Sequence, residues 1–406
     1  MKLTSVAALC LLAAVVSARG PGAQVQVPSQ AGLIRDVAPR TFAMVVRADG
    51  AVIAWGQDPY GGGVKSAPVV VDLPGKALKV AVSIDSQTAY ALLEDGSVVA
   101  WGQNDEGQLG TGVPGQNGVL GIYPKPSIAP VKVSGLRDII EIGAGRKHGV
   151  ALRRDGTVWA WGTRDDGVLG DGDTKPAGSL RVVSALAPIP VPGLVDIVHI
   201  AVGPNHNLAL RRDGRVMSWG RNNGGELGLG TRATGWMPAE VVGLERIVAV
   251  AAGNAVTNGV SGAVRDDGTV WMWGVNTSAM MGNGQGATAP DDAGGRNLLP
   301  GQVPGLAGAK SLAIGSGHAA AILGDGTLLM WGHNGYRELG FVTQGSYQLR
   351  PARVPGVTNV VSVHLGGLRT YAVRADGTLW AWGIGNYRVP GVLATNLKVP
   401  TRIDLP

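Results

Sequence analysis

Ala151-Leu-Arg-Arg-Asp-Gly-Thr-Val-Trp-Ala-Trp-Gly162 places an Asp-Gly pair six residues ahead of a Trp-Gly pair. The same spacing recurs at Asp49/Trp55, Asp95/Trp101, Asp155/Trp161, Asp213/Trp219, Asp267/Trp273, Asp325/Trp331 and Asp376/Trp382. Successive copies stand 46 to 60 residues apart. A repeat of that length denotes a propeller, a solenoid or an array, because one unit cannot bury its apolar surface alone.

The third copy shows what a unit contains. Leu136 to Gly143 is expected as a first strand and His148 to Leu152 as a second. Asp155-Gly156 reads as a type I′ hairpin turn with both central residues at positive φ. Thr157 to Trp161 is β-branched and aromatic, as strands prefer. The prolines of Ala187-Pro-Ile-Pro-Val191 suit an outer edge strand. Four short antiparallel strands per unit make one propeller blade.

Both faces of the third strand are apolar. Two residues before each motif Trp stand Ile53, Val99, Trp159, Met217, Trp271, Leu329 and Trp380, while the residue between is mostly small. A sheet with one wet face would alternate apolar with polar residues, so each sheet is expected to lie between two others, with these tryptophans in the core. An open stack needs polar caps on its terminal repeats, yet the first copy (Phe42 to Val46) and the last (Leu379 to Trp382) are as apolar as the rest. The expectation is an all-β fold, a closed seven-bladed β-propeller of four-stranded antiparallel blades. The blades are read as 32–74, 75–134, 135–192, 193–242, 243–304, 305–355 and 356–406.

Trp101-Gly-Gln-Asn-Asp-Glu-Gly-Gln-Leu-Gly-Thr-Gly112 and Trp219-Gly-Arg-Asn-Asn-Gly-Gly-Glu-Leu-Gly-Leu-Gly230 resemble the repeat of the regulator of chromosome condensation (RCC1-like) family. So does Gly203-Pro-Asn-His206-Asn-Leu-Ala-Leu210 ahead of Asp213. The resemblance covers about residues 32 to 406. Copies five to seven depart from it after Trp-Gly, as in Asn334-Gly-Tyr-Arg-Glu-Leu-Gly340, and the first copy is degenerate at Gln57-Asp-Pro-Tyr60. The resemblance implies a disc-shaped binding scaffold. The family includes an exchange factor for a small GTPase, a plant ultraviolet photoreceptor and a secreted bacterial inhibitor of β-lactamases, and this chain is similar to the secreted bacterial type.

That comparison draws on the N-terminus. Lys2, an apolar run from Leu3 to Val16 and small residues at Val16-Ser17-Ala18 read as a signal peptide, 1–18, cleaved after Ala18. Residues 19–31 read as a linker. The expected location is secreted or periplasmic, without membrane insertion. Cys10 is the sole cysteine, so cleavage leaves no thiol or disulfide and stability must come from packing. The mature chain keeps 34 of 35 basic residues against 29 acidic ones. Arg47, Arg153, Arg211, Arg265 and Arg374 stand two before a motif Asp, so this apparent cationic rim is balanced by its own turns. A nucleic-acid face requires clustered excess positive charge. No nucleic-acid partner is expected, and salt-bridged hairpins are.

No constellation reads as catalytic. His148, His206 and His318 occupy equivalent positions on different blades, too dispersed to meet one zinc ion, and read as structural. The acidic run Asp165 to Asp173 lacks the order of a calcium loop and reads as a solvated turn. Nucleophile elbows and phosphate loops are missing. No metal, cofactor or catalytic residue is therefore expected, and the chain reads as a monomeric, non-enzymatic scaffold with a protein partner. A carbohydrate-binding or hydrolytic propeller using the central channel is the alternative, followed by a guanine-nucleotide exchange regulator if the chain is not exported. Partner binding is assigned to the variable loops after Trp-Gly, since insertions at one phase of a repeat fall on one face. Val113 to Ala129, Asp171 to Ala187 and Gly282 to Leu299 carry Tyr123, Lys125, Arg181, Asp291, Asp292 and Arg296. Trp236 and Met237, outside the core pattern, complete the candidate set, with a hydrophobic plug between loop and strand as their other reading.

Overall fold

The computed structural model describes residues 33–39, 42–57, 64–83, 85, 87–113, 126–174, 184–253, 255, 259–286, 295–385, 390, 392 and 396–405. These form seven four-stranded antiparallel sheets, each built from consecutive strands. The third runs Ile139–Ala144, His148–Arg153, Val158–Gly162 and Ala185–Pro190 from inside to outside. The inner strands are Ile34–Ala38, Ala77–Val82, Ile139–Ala144, Ile197–Val202, Ile247–Ala252, Ala309–Ile314 and Val360–Gly366. They touch in order around a central channel, and the first meets the seventh. The chain is a closed seven-bladed propeller.

Two sides of the disc follow from strand direction. On one lie the Asp-Gly hairpins and the connections between blades. The other carries the turns leaving the inner strands and the loops after Trp-Gly, here called the loop side.

The hairpins correct the expected turn type. Among these turns only the glycine has positive φ, 83° at Gly156, and the preceding aspartate does not. Gly156 N–H donates to the Arg153 carbonyl and Arg153 N–H to the Thr157 carbonyl, both at 2.9 Å. This is a type I turn closed by a left-handed glycine, the commonest three-residue hairpin loop. Each motif carboxylate accepts the N–H two residues on, as Asp155 does from Thr157 at 3.0 Å. Glycine is required for a second reason. A Cβ on Gly214 would lie 2.9 Å from the Arg246 Cα at the entry of the next blade, and one on Gly156 would lie 3.1 Å from the Asp196 Cα. Ile197 N–H donates to the Gly156 carbonyl at 3.1 Å, tying one hairpin to the next blade.

The core lies between sheets. Trp55, Trp161, Trp219, Trp273, Trp331 and Trp382 are among the largest fully buried side chains, and Trp101 is nearly so. Burying 150–250 Å² of indole contributes about 5 kcal/mol of gross hydrophobic stabilisation each. The expectation that all strand tryptophans are core needs correction. Trp159, Trp271 and Trp380 are half-buried, because their position lies near the hairpin end of a short strand. Arg153, Arg265 and Arg374 cover their rings at 4.4, 4.5 and 5.7 Å from the centroid. The same guanidinium of Arg153 faces Asp155, and Arg47, Arg211 and Arg374 pair with Asp49, Asp213 and Asp376. The paired rim read from the sequence is present. Ring closure follows the same packing: Trp55 of the first blade meets Tyr371 of the seventh, ring centroids 6.3 Å apart, within one apolar cluster.

Candidate functional site

The three repeat histidines belong to inter-blade ties. His148 Nε2 meets Asn207 Oδ1 at 3.0 Å, His206 Nε2 meets Ser261 Oγ at 3.0 Å, and His318 Nε2 meets Thr370 Oγ1 at 3.1 Å. Each partner, on the following blade, donates onward to a loop carbonyl of the histidine's own blade: Val168, Glu226 and Glu338 respectively. The Val168 and Glu226 carbonyls also accept the indole N–H of Trp219 and Trp273. Burial lowers all three histidines from 6.5 to about 4, so they are neutral hydrogen-bonding groups at pH 7. Among the described residues no three metal-ligating side chains gather. The acidic loop turns inward on Arg164, whose Nε lies 2.7 Å from Asp171 and 3.5 Å from Asp173.

The channel carries a polar group that sequence reading missed. At one register position of the inner strands stand Asp36, Lys79, Glu141, His199, Ala249, Ser311 and Ser362, each following a β-bulge. Lys79 Nζ donates to Glu141 Oε1 at 3.0 Å, and His199 Nδ1 lies 2.8 Å from Oε2. Oε2 also accepts the Ile200 N–H at 3.0 Å, while Asp36 accepts the Val80 N–H at 2.9 Å. Inner strands expose their outer backbone edge to the channel, and these carboxylates satisfy donors of the next blade. Burial raises the Glu141 carboxyl, but His199 and then Lys79 outweigh it and hold the group at about 2. Toward the loop-side ends of the inner strands, a cavity of about 260 Å³ is lined by small and apolar residues such as Ala81, Ala201 and Ala313, with His364. The mouth is thus an electrostatic clasp across three blades, with both Glu141 oxygens and Asp36 Oδ2 engaged by groups of the protein.

Of the sequence-derived candidates, Tyr123, Lys125, Arg181, Asp291 and Asp292 lie outside the described residues. Trp236 and Met237 begin the outer strand Gly235–Glu240 of the fourth blade. Trp236 is half-buried, and its carbonyl accepts the Gly172 N–H of the third blade at 2.9 Å. Leu186, Leu298 and Leu349 accept the equivalent N–H of Gly112, Gly230 and Gly284. Trp236 is therefore the aromatic form of a docking post that recurs at four blade junctions among the described residues. Met237 beside it is 52% exposed. Arg296 is half-buried at the start of the outer strand Arg296–Gln302 in the fifth blade. The structure brings Trp236 and Met237 together by adjacency and sets Arg296 on the next blade.

The sixth blade adds residues not foreseen. Tyr336 and Tyr347, 46% and 38% exposed, flank His333 with ring centroids 5.8 and 5.4 Å away. His333 Nδ1 is held by Glu338 Oε1 at 2.5 Å, and Glu338 Oε2 accepts the Tyr336 N–H at 2.9 Å. That hydrogen bond raises the histidine above its ordinary value; the Glu338 carboxyl, which burial would raise, is lowered by His333. Val342, 77% exposed, and Leu349 extend the patch. The signal was available in Asn334-Gly-Tyr-Arg-Glu-Leu-Gly340, where a tyrosine replaces Glu106 or Gly224 of other copies.

Comparison with known proteins agrees with this architecture. A model of the RCC1-like domain matches residues 112–406, and one of the regulator of chromosome condensation (RCC1) repeat matches residues 80–108. The chain is 31% identical over 338 residues to the ultraviolet-B receptor UVR8 of Arabidopsis thaliana, covering 80% of this chain and 69% of the receptor. It is 28% identical over 362 residues to the human E3 ubiquitin-protein ligase HERC2, covering 85% of this chain but only 7% of the ligase. Among solved structures, yeast RCC1 (Prp20) bound to Kap60 superposes with a TM-score of 0.70 at 21% identity, over 96% of this chain and 91% of that one. Human WBSCR16 gives 0.67 at 20% identity, over 86% and 89%. The in-phase repeats, the closed ring of blades and these matches together show that the chain belongs to the RCC1-like family.

Proposed function

We propose that this protein is an exported, non-enzymatic propeller that binds a protein partner through the loop side of blades four to six. One observation carries the reading: Met237, Leu299, Tyr336, Tyr347, Val342 and Leu349 are all exposed there. These residues lie on the loop side of three successive blades; exposed apolar and aromatic surface marks interaction sites, and tyrosine is enriched at binding hot spots. The hairpin side also shows Ile140, Val198, Val248 and Val361, but these are aliphatic positions beside a self-satisfied clasp. At the channel mouth both Glu141 oxygens are engaged and Asp36 Oδ2 holds the Val80 N–H, so these carboxylates serve ties between blades. Export rests on the leader pattern of residues 1–18.

The test is affinity capture with the mature protein, comparing wild type with Met237→Ser/Tyr336→Ala/Leu349→Ser. The reading expects a discrete protein retained by wild type and lost from the variant. Capture of nothing, or retention equal in both, would count against it. Mass spectrometry of the mature N-terminus tests export, with Arg19 as the expected first residue.

A further inference from the structure

We infer that the sixth-blade patch is a receptor for an acidic segment of the partner carrying an aromatic or leucine side chain. This rests on the scaffold reading above and specifies its chemistry. Tyr336 and Tyr347 stand on either side of His333, and neither phenol hydroxyl makes a hydrogen bond among the described residues. Arg337 follows Tyr336 directly. Arg350 lies at the junction with the fifth blade, its guanidinium packed over Gly284. Neither arginine has an ion pair or side-chain hydrogen bond among the described residues, unlike the hairpin arginines that face their own aspartates.

The charge balance decides the class of partner. The described carboxylate of this loop, Glu338, is fully buried and already holds His333 and the Tyr336 N–H. Among the described residues, the exposed loop side of blade six therefore presents Arg337, Arg350 and the two tyrosine rings with Glu338 buried beneath them. A carboxylate from a partner would meet planar donors suited to bidentate pairing, while an aromatic or leucine side chain would meet the tyrosine rings. A cationic segment would meet like charge.

A second observation concerns the loop backbone. Arg337 has φ of +67°, in the left-handed region that non-glycine residues enter at a cost. Gly107 and Gly225 occupy the same loop position in blades two and four, and Ala279 in blade five. Arginine there is strained relative to glycine and gains no side-chain partner among the described residues. Ala279 shares the left-handed conformation at φ +58°, so the backbone geometry belongs to the repeat, and what sets blade six apart is the charged side chain carried on it.

The experiment is to pan a random twelve-residue peptide library on phage against the immobilised mature protein. The enriched peptide is then synthesised with a fluorescein label and its Kd measured by anisotropy. The inference expects enriched peptides with net negative charge and at least one Trp, Tyr, Phe or Leu. Binding should weaken at least tenfold for Arg337→Glu/Arg350→Glu and for Tyr336→Ala/Tyr347→Ala, and weaken with added salt. Arg337→Lys/Arg350→Lys should bind more tightly than the charge-reversed variant but more weakly than wild type, since lysine keeps the charge and loses the planar bidentate fork, and circular dichroism identical to wild type confirms folding of each variant. Enrichment of neutral or basic peptides, no enrichment, or equal binding by the charge-reversed variant would overturn it. Neutral peptides that lose binding in the Met237, Tyr336 and Leu349 variant would sink this inference and leave the scaffold reading standing; a partner captured through another surface would sink both.

Discussion

Replacing Glu141 with glutamine isolates the charge of the channel clasp while leaving a side chain of the same shape. The carboxylate is 11% exposed and bridges Lys79, His199 and the Ile200 N–H. Its depression from 4.5 to about 2 corresponds to about 3 kcal/mol of stability at pH 7. Because the folded value lies below the unfolded one, this stabilisation is complete above about pH 4.5 and is lost as pH falls toward 2. At pH 3 about 1 kcal/mol remains. Equilibrium urea unfolding of wild type and Glu141→Gln should therefore show a stability gap of about 3 kcal/mol at pH 7, narrowing to about 1 kcal/mol at pH 3. Lys79→Met in the same background should add little, because its main partner is already neutral. A gap below 1 kcal/mol at pH 7 would refute the reasoning, as would a gap of the same size at both pH values. The first would mean that the three inner strands hold without the charge, the second that glutamine acts through packing alone.

Other parts of the fold give sharp contrasts. Gly214→Ala should destabilise by about 2–3 kcal/mol and Gly243→Ala by about 1 kcal/mol, since both have positive φ but only the first abuts the next blade; equal midpoints in thermal unfolding would contradict the inter-blade staple. Trp219→Phe removes the 3.0 Å bond to the Val168 carbonyl, whereas the Trp382 indole N–H has no partner among the described residues. Trp219→Phe should therefore cost about 1 kcal/mol more than Trp382→Phe in urea denaturation, and a reversed order would count against the loop-carbonyl ties. Buried His206, at about 4 in the folded state, lies below its ordinary 6.5, so the stability it permits above pH 6.5 is lost as pH falls toward 4. Wild type should lose about 2 kcal/mol through this group between pH 7.5 and 5, and His206→Gln should flatten the Tm profile by that amount; an unchanged slope would show that the histidine is not buried neutral.

What the sequence disclosed was the periodic part. Asp-Gly and Trp-Gly at fixed spacing have one job in every copy, so seven copies report one blade and its number. The turn type went astray because Asp-Gly suits both a two-residue loop and a type I turn closed by glycine, and the hydrogen bond from Arg153 N–H to Thr157 distinguishes them. Trp159 was assigned to the core because alternation along a strand does not reveal its distance from the hairpin end. The clasp escaped for a different reason. Lys79, Glu141 and His199 are 62 and 58 residues apart and converge only because inner strands ring a channel. Aligning the inner strands instead of the Trp positions would have shown Asp, Lys, Glu and His at one register among residues otherwise apolar or small. Tyr336 stood in a loop already noted as irregular, but its exposure depends on the backbone around Arg337.

Photo-crosslinking bears most directly on the loop side as the partner-binding surface. A benzophenone amino acid placed at Tyr336, Met237 or Leu349, and as a control at Val361 on the hairpin side, would be irradiated in cells producing the protein. A discrete protein adduct from the three loop-side positions and none from Val361 is the predicted result. An adduct confined to Val361, or none from any loop-side position, would contradict it.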